Sequence, residues 1–161
     1  LSQVNDFFTK TSAEQIHFFG KSLSLWEDEL AIDISSGELS PEDIRALHVT
    51  LIRNIQIAAH FYELSRAANT ISTNAVSLRK NQLVGAIISH YHSIGQSSPP
   101  GTVMDKMADN YLQELNNVTN LNKLCKEYWK SKLQTLEKVQ SNLQAISISQ
   151  TMQNKYEMMG D

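Results

Sequence analysis

Apolar residues recur at steps of three and four along almost the whole chain, the period of an amphipathic helix, and alternation of strand length is confined to Ala145–Ser149. Ile16, Phe19, Leu23, Trp26 and Leu30 form the first such stripe. Before it, Thr11-Ser12-Ala13-Glu14 reads as a capping box, in which a hydroxyl accepts a free backbone N–H and the Glu reaches back. Gly37 is a natural stop, so the pattern predicts a first helix over 12–36. Ser40-Pro41-Glu42-Asp43 is the strongest start signal: Ser caps, Pro takes a first-turn position that needs no N–H, and two acids face the positive end of the dipole. Ile44, Leu47, Leu51, Ile55, Ala58 and Tyr62 follow as one stripe, widened by His48, Ile52 and Ala59, and predict a central helix over 41–69.

The period then weakens in 69–74, a run of β-branched and Asn residues that compete with helical backbone bonding. It resumes with Val76, Leu83, Val84, Ile87, Ile88, Tyr91 and Ile94, predicting a helix over 74–95. The segment 95–101, Gly-Gln-Ser-Ser-Pro-Pro-Gly, is a loop. Thr102 to Asp105 reads as a further capping box opening a long helix over 102–148, with Met104, Met107, Tyr111, Leu115, Val118, Cys125, Tyr128, Leu136, Val139, Leu143 and Ile146 as its stripe. Unbroken, that helix is about 70 Å long. Its flaw is 116–120, three Asn and a Thr. With the chain folded back about Ser98, the two weak stretches lie at one level. Either both arms kink there, giving a bent three-helix bundle, or both break, giving about five helices. The expectation is therefore an all-α fold, a single helical-bundle domain over 1–161 with up-down topology, elongated, its long helices kinked or broken.

Composition narrows the function classes. The net charge is −3, unlike that of a globally basic nucleic-acid binder. The single Cys125 excludes a disulfide framework or a Cys-based zinc site, and favours a reducing compartment, hence a cytoplasmic location. No window is apolar enough to span a bilayer, and the first residues lack the basic and apolar regions of a signal peptide. Glycine-rich phosphate loops and the Gly-x-Ser-x-Gly motif are absent. His90 and His92 diverge on a helix, and Glu14-x-x-His17 is one such motif where a di-iron bundle needs two and two more inward Glu, so no metal or cofactor is expected.

Two sets of residues point to partners. Lys123, Lys126 and Lys130, with Lys132 and Lys138 nearby, make a basic sector suited to an acidic partner or an anionic lipid surface. Phe7, Phe8, Phe18 and Phe19 crowd the N-terminal region, and the neighbours Phe18 and Phe19 diverge by about 100°, so that one leaves the stripe; Phe18 beside Trp26 is the expected partner anchor. For chemistry, Arg53 can hold a phosphate and His60, two turns on, can move a proton. Arg53-Asn54 followed by His60 and Tyr62 resembles the Arg-x4–6-His motif of HEPN-family ribonucleases, which are small all-helical proteins; the resemblance implies Arg53 and His60 as catalytic residues. A bent helical hairpin with a basic face also resembles the build of BAR-type membrane-curving dimers. The favoured expectation is a non-catalytic scaffold or adaptor that binds other proteins, or a second copy of itself, through helical surfaces.

Overall fold

The computed structural model describes residues 14–34 and 39–159, with side chains to residue 156. Of the described residues 84% are helical, an all-α fold. The elements run β1 (His17–Phe18), β2 (Lys21–Ser22), α1 (Leu23–Glu29), α2 (Pro41–Ser93), α3 (Gly101–Tyr111) and α4 (Gln113–Met159). They fall into two compact units, one of Leu1–Asn54 with Leu143–Asp161 and the other of Ile55–Asn142.

The first unit corrects the expected helix over 12–36. In its place β1 and β2 pair antiparallel, His17 opposite Ser22 and Phe18 opposite Lys21. The two turn residues between them, Phe19 and Gly20, both carry positive φ, 51° and 78°. That is the twist a two-residue hairpin demands, and it ends helical propagation there. Ser22 then caps α1, its Oγ accepting from the Leu25 amide at 3.3 Å. The expected capping residues Thr11–Ala13 and the stop at Gly37 lie outside the described residues, as do Phe7 and Phe8.

The start of α2 is as its sequence implies. The Ser40 amide and hydroxyl donate to Asp43 Oδ2 at 3.0 and 2.6 Å, and the Asp43 amide returns a bond to Ser40 Oγ at 3.1 Å. The Ser40 hydroxyl, and after it the Ser40 amide, hold the Asp43 carboxyl below the usual carboxylate range. Leu23, Trp26, Leu30, Ile44, Leu51 and Leu143 make the buried core of this unit. Buried Asn54 donates through Nδ2 to the Leu30 carbonyl at 3.2 Å, tying the end of α1 to α2. Gln150 Nε2 donates to the Leu39 carbonyl at 2.8 Å. Residues after 148 thus have a docking bond, and α4 continues to Met159 instead of ending near 148.

In the second unit neither arm breaks at the two weak stretches, where a kink or a break was expected. α2 runs through 69–74 as one helix, because the residues that could compete with the ladder bond inside it. Thr70 donates to the Arg66 carbonyl at 3.0 Å, Thr73 to Asn69 at 2.8 Å and Ser72 to Asn69 at 3.1 Å. Across the packed pair α2 and α4, Asn122 Nδ2 donates to the Ala68 carbonyl at 3.4 Å and to Ser72 Oγ at 3.2 Å. Residues 116–120 are likewise helical, with Thr119 donating to the Leu115 carbonyl at 2.9 Å. The arm is interrupted four residues earlier, at buried Leu112, whose amide is shared between Ala108 and Asp109 at 3.0 and 3.2 Å. The buried row runs through Ala108 and Leu112 instead, so Tyr111 and Val118, expected in the core, are 77% and 50% exposed.

The loop before α3 opens with a glycine C-cap. Gln96 donates to the Tyr91 carbonyl and Gly95 to His92, with Gly95 at φ 70°, the pairing of a Schellman motif. α3 starts at Gly101 after Pro100, without a side-chain cap, so the expected box of Thr102 and Asp105 does not form. Asp105 and Asp109 instead reach Lys80 on α2, at 3.7 and 3.0 Å. The Asp109 hydrogen bond raises the Lys80 pKa above its ordinary value, with Asp105 adding to it and desolvation opposing.

Amide exchange tests the corrected helices. Amides in 69–74 and 116–120 are expected to exchange as slowly as those around Leu51 and Leu133. Rates in either stretch matching the loop 96–100 would contradict continuous helices.

Candidate partner-binding surfaces

The hairpin and α1 form a small module built around Trp26. Its ring is 8% exposed, and its Nε1 donates to the Phe18 carbonyl at 2.8 Å, which fastens the hairpin to α1. Lys21 lies over the ring, 4.5 Å from the centroid, and pairs with Glu29. Trp26 therefore belongs to the core and is not the exposed anchor expected of it, and Phe18 is half-buried. The exposed aromatic is Phe19, at 67%, its ring packed edge-on against Phe18 at 5.1 Å. A bulky side chain in the left-handed region is a genuine outlier, costing about 1–3 kcal/mol at a position that glycine or asparagine fills freely. The signal for this turn was Gly20, four residues into an otherwise helical stripe. Leu25, on α1, is also exposed, and residues 14–34 carry five acids against the single Lys21.

The predicted basic sector lies on α4. Lys123 and Lys130 are exposed, and half-buried Lys126 pairs with Glu127 at 3.2 Å. Exposed Leu121 and Leu124, 44% and 56%, sit among these lysines. Cys125 points inward, and burial pushes its thiol pKa up, away from the thiolate a nucleophile needs.

A third surface went unread in the sequence. On α2, Leu64, Ile71 and Leu78 recur every seven residues and are 38%, 69% and 60% exposed. Between Arg66 and Arg79 the helix carries no charged residue. The heptad spacing was the available signal, but it lies off the stripe that builds the core.

Arg53 and His60 are both exposed on α2. Asn54, beside Arg53 in the ribonuclease-like pattern, is buried and committed to the Leu30 carbonyl. His17 donates through Nδ1 to the Gln15 carbonyl at 3.1 Å. Among the described residues no group of three His, Cys, Asp or Glu side chains is placed to hold a metal ion, and no helix is long and apolar enough to cross a membrane. Comparisons with protein-family models, with curated proteins and with solved structures give no match to this chain.

Proposed function

We propose that this chain is a non-catalytic scaffold that binds partner proteins through its helical surfaces. The observation that carries the reading is the pair Ile71 and Leu78 on α2, large apolar side chains left in solvent within 67–78, a stretch without charge, with exposed Leu64 one heptad earlier. Protein interfaces are depleted of charge at their centres, as this stretch of α2 is. The basic sector of Lys123, Lys126 and Lys130 and the aromatic Phe19 add two further surfaces of different chemistry, as a scaffold with several contacts needs. Binding in the cytoplasm fits the lone buried thiol.

The test is crosslinking of the tagged chain in its native cells, followed by mass spectrometry, with Ile71→Asp/Leu78→Asp as the comparison. Both positions are exposed, so the variant is expected to keep its helical circular dichroism while losing a reproducible set of crosslinked proteins. An unchanged set would defeat the reading. So would RNA cleavage by the purified chain that His60→Ala removes.

A further inference from the structure

We infer that two copies of this chain pair antiparallel along α2, about a twofold axis at Ile71. The inference rests on the apolar row of the scaffold reading and names a second copy as the partner that covers it.

The row extends beyond the three large exposed side chains. Ile57, Leu64, Ile71, Leu78 and Gly85 recur at seven-residue steps, over about 42 Å of helix. Ile57 is half-buried and the other four are exposed, Ile71 and Leu78 by 69% and 60%. Small side chains lie between the large ones, with exposed Ala67 and Asn74 three residues after Leu64 and Ile71. That is the three-and-four spacing of a coiled-coil seam, large knobs beside room for the knobs of a facing helix. Gly85 ends the row without a use inside its own chain. It lies within α2 and is not at positive φ, and a Cβ added there would meet nothing within 4 Å. Glycine is the poorest helix former after proline, and its usual recompense is the close approach of another group. At Gly85 the chain itself supplies no such group, so the approach comes from outside it.

The row complements itself when reversed, and that selects its partner. In an antiparallel pair centred on Ile71, Leu64 faces Leu78 of the other copy, seven residues either side of the centre. Ile57 faces Gly85 at fourteen residues, a large side chain against the position that has none, and the twofold axis repeats the fit at the other end. Charge agrees with this direction and register. Glu63 faces Arg79, eight residues either side of the centre, and no charge lies between Arg66 and Arg79. Within the chain Glu63 pairs with Arg66 at 2.6 Å and Arg79 donates to Gln82 at 3.2 Å. Both are exposed, so turning toward the other copy buries no isolated charge. A parallel pair in register instead sets Glu63 against Glu63 and Arg79 against Arg79. An antiparallel pair centred between Ser72 and Thr73 sets Arg66 against Arg79. Charges at the rim fix orientation and register, while the apolar row supplies the affinity.

Sedimentation velocity of the purified full chain over a range of concentrations is the test. A monomer–dimer equilibrium is expected. Ile71→Asp brings two carboxylates together at the axis and is expected to weaken the dimer at least ~10-fold while helical circular dichroism is kept. Gly85→Leu is expected to weaken it too, yet to hold or raise the thermal midpoint of the dilute monomer, because its own chain leaves that space open. Glu63→Arg and Arg79→Glu are each expected to weaken association and, combined in one chain, to restore it. Under oxidation Leu64→Cys is expected to crosslink with Leu78→Cys and not with itself. A chain that stays monomeric at every concentration overturns the inference. So does a dimer that Ile71→Asp leaves intact, or one in which Leu64→Cys crosslinks with itself. The crosslinking in cells separates this result from the scaffold reading. A monomeric chain whose Ile71→Asp/Leu78→Asp variant still loses its crosslinked proteins overturns the inference alone and gives the row to a different protein. A dimer broken by Ile71→Asp, with the set of other crosslinked proteins unchanged, upholds the inference and defeats the scaffold reading.

Discussion

Replacing Trp129 by Ala is expected to destabilise the second unit by about 3–5 kcal/mol, the range for removing a large aromatic from a close-packed core. Trp129 has no exposed surface. The Phe61 ring meets it edge-on at 4.8 Å and the Tyr128 ring at 5.1 Å. Cys125, one turn before it on α4, and Leu136, two turns after, are also buried, so truncation opens a void in the middle of the stripe. Phe61 reaches Trp129 from α2, and the void therefore weakens the packing between the two long helices, which Asn122 also joins by hydrogen bonds. Trp129→Phe keeps an aromatic edge for Phe61 and should cost clearly less. Urea unfolding followed by far-UV ellipticity measures both. The chain has two tryptophans, so in either variant the fluorescence of Trp26 alone reports the first unit. A loss below about 1 kcal/mol for Trp129→Ala would mean that Phe61 and Trp129 do not pack as described.

Trp129 also shows where sequence reading stopped. The helical period made α2 and α4 legible as apolar helices, because that pattern is local and repeated over many turns. The stripe traced on α4 ran through its neighbour Tyr128, whereas the buried row is one position away, through Ala108, Leu112, Cys125 and Trp129, and leaves Tyr111 and Val118 exposed. The helix start at Ser40 was legible for the same reason of locality, read as a cap with two acids at the dipole end, and the return bond from the Ser40 amide to Asp43 was not read. The weak stretches were read with the right sign. Summed propensity there falls short of alanine by roughly 2–4 kcal/mol. What overrides it is partly non-local: Asn122 reaches Ser72 from fifty residues away, and nothing in 69–74 announces that partner. The hairpin was missed because Phe19 satisfied the spacing of the stripe, whereas Gly20 beside it signalled a turn. Of the surfaces, the lysines on α4 were legible from spacing. Leu64, Ile71 and Leu78 were not, because the eye follows the stripe that builds the core, and exposure belongs to the packed chain rather than to the period.

Asn54→Asp is expected to cost about 3–5 kcal/mol at neutral pH, as an uncompensated buried charge does, and to recover most of that loss in acid. Asn54 is 3% exposed and gives its Nδ2 hydrogen to the carbonyl of Leu30, itself 1% exposed. An ionised carboxylate at this place donates nothing and sets a negative oxygen against the carbonyl oxygen. Burial favours its neutral form, so its folded pKa lies above the unfolded value of about 3.9. Between the two values the folded state binds the extra proton, and stability of the variant falls as pH rises. Below the unfolded value the penalty of ionisation is gone, and the protonated oxygen can donate to Leu30 in place of the amide. Wild type has an opposite trend at the start of the same helix. The Asp43 carboxyl is held low by Ser40, so its contribution is full above the unfolded carboxylate value and is lost as pH falls through the folded one. The quantity to compare is therefore the gap between variant and wild type at each pH, read from urea midpoints. Asn54→Ala supplies the reference, since it removes the same hydrogen bond without a titrating group and should keep a constant gap. A gap for Asn54→Asp that is equally flat would mean that position 54 is open to water, and that α1 is not held to α2 through the Leu30 carbonyl.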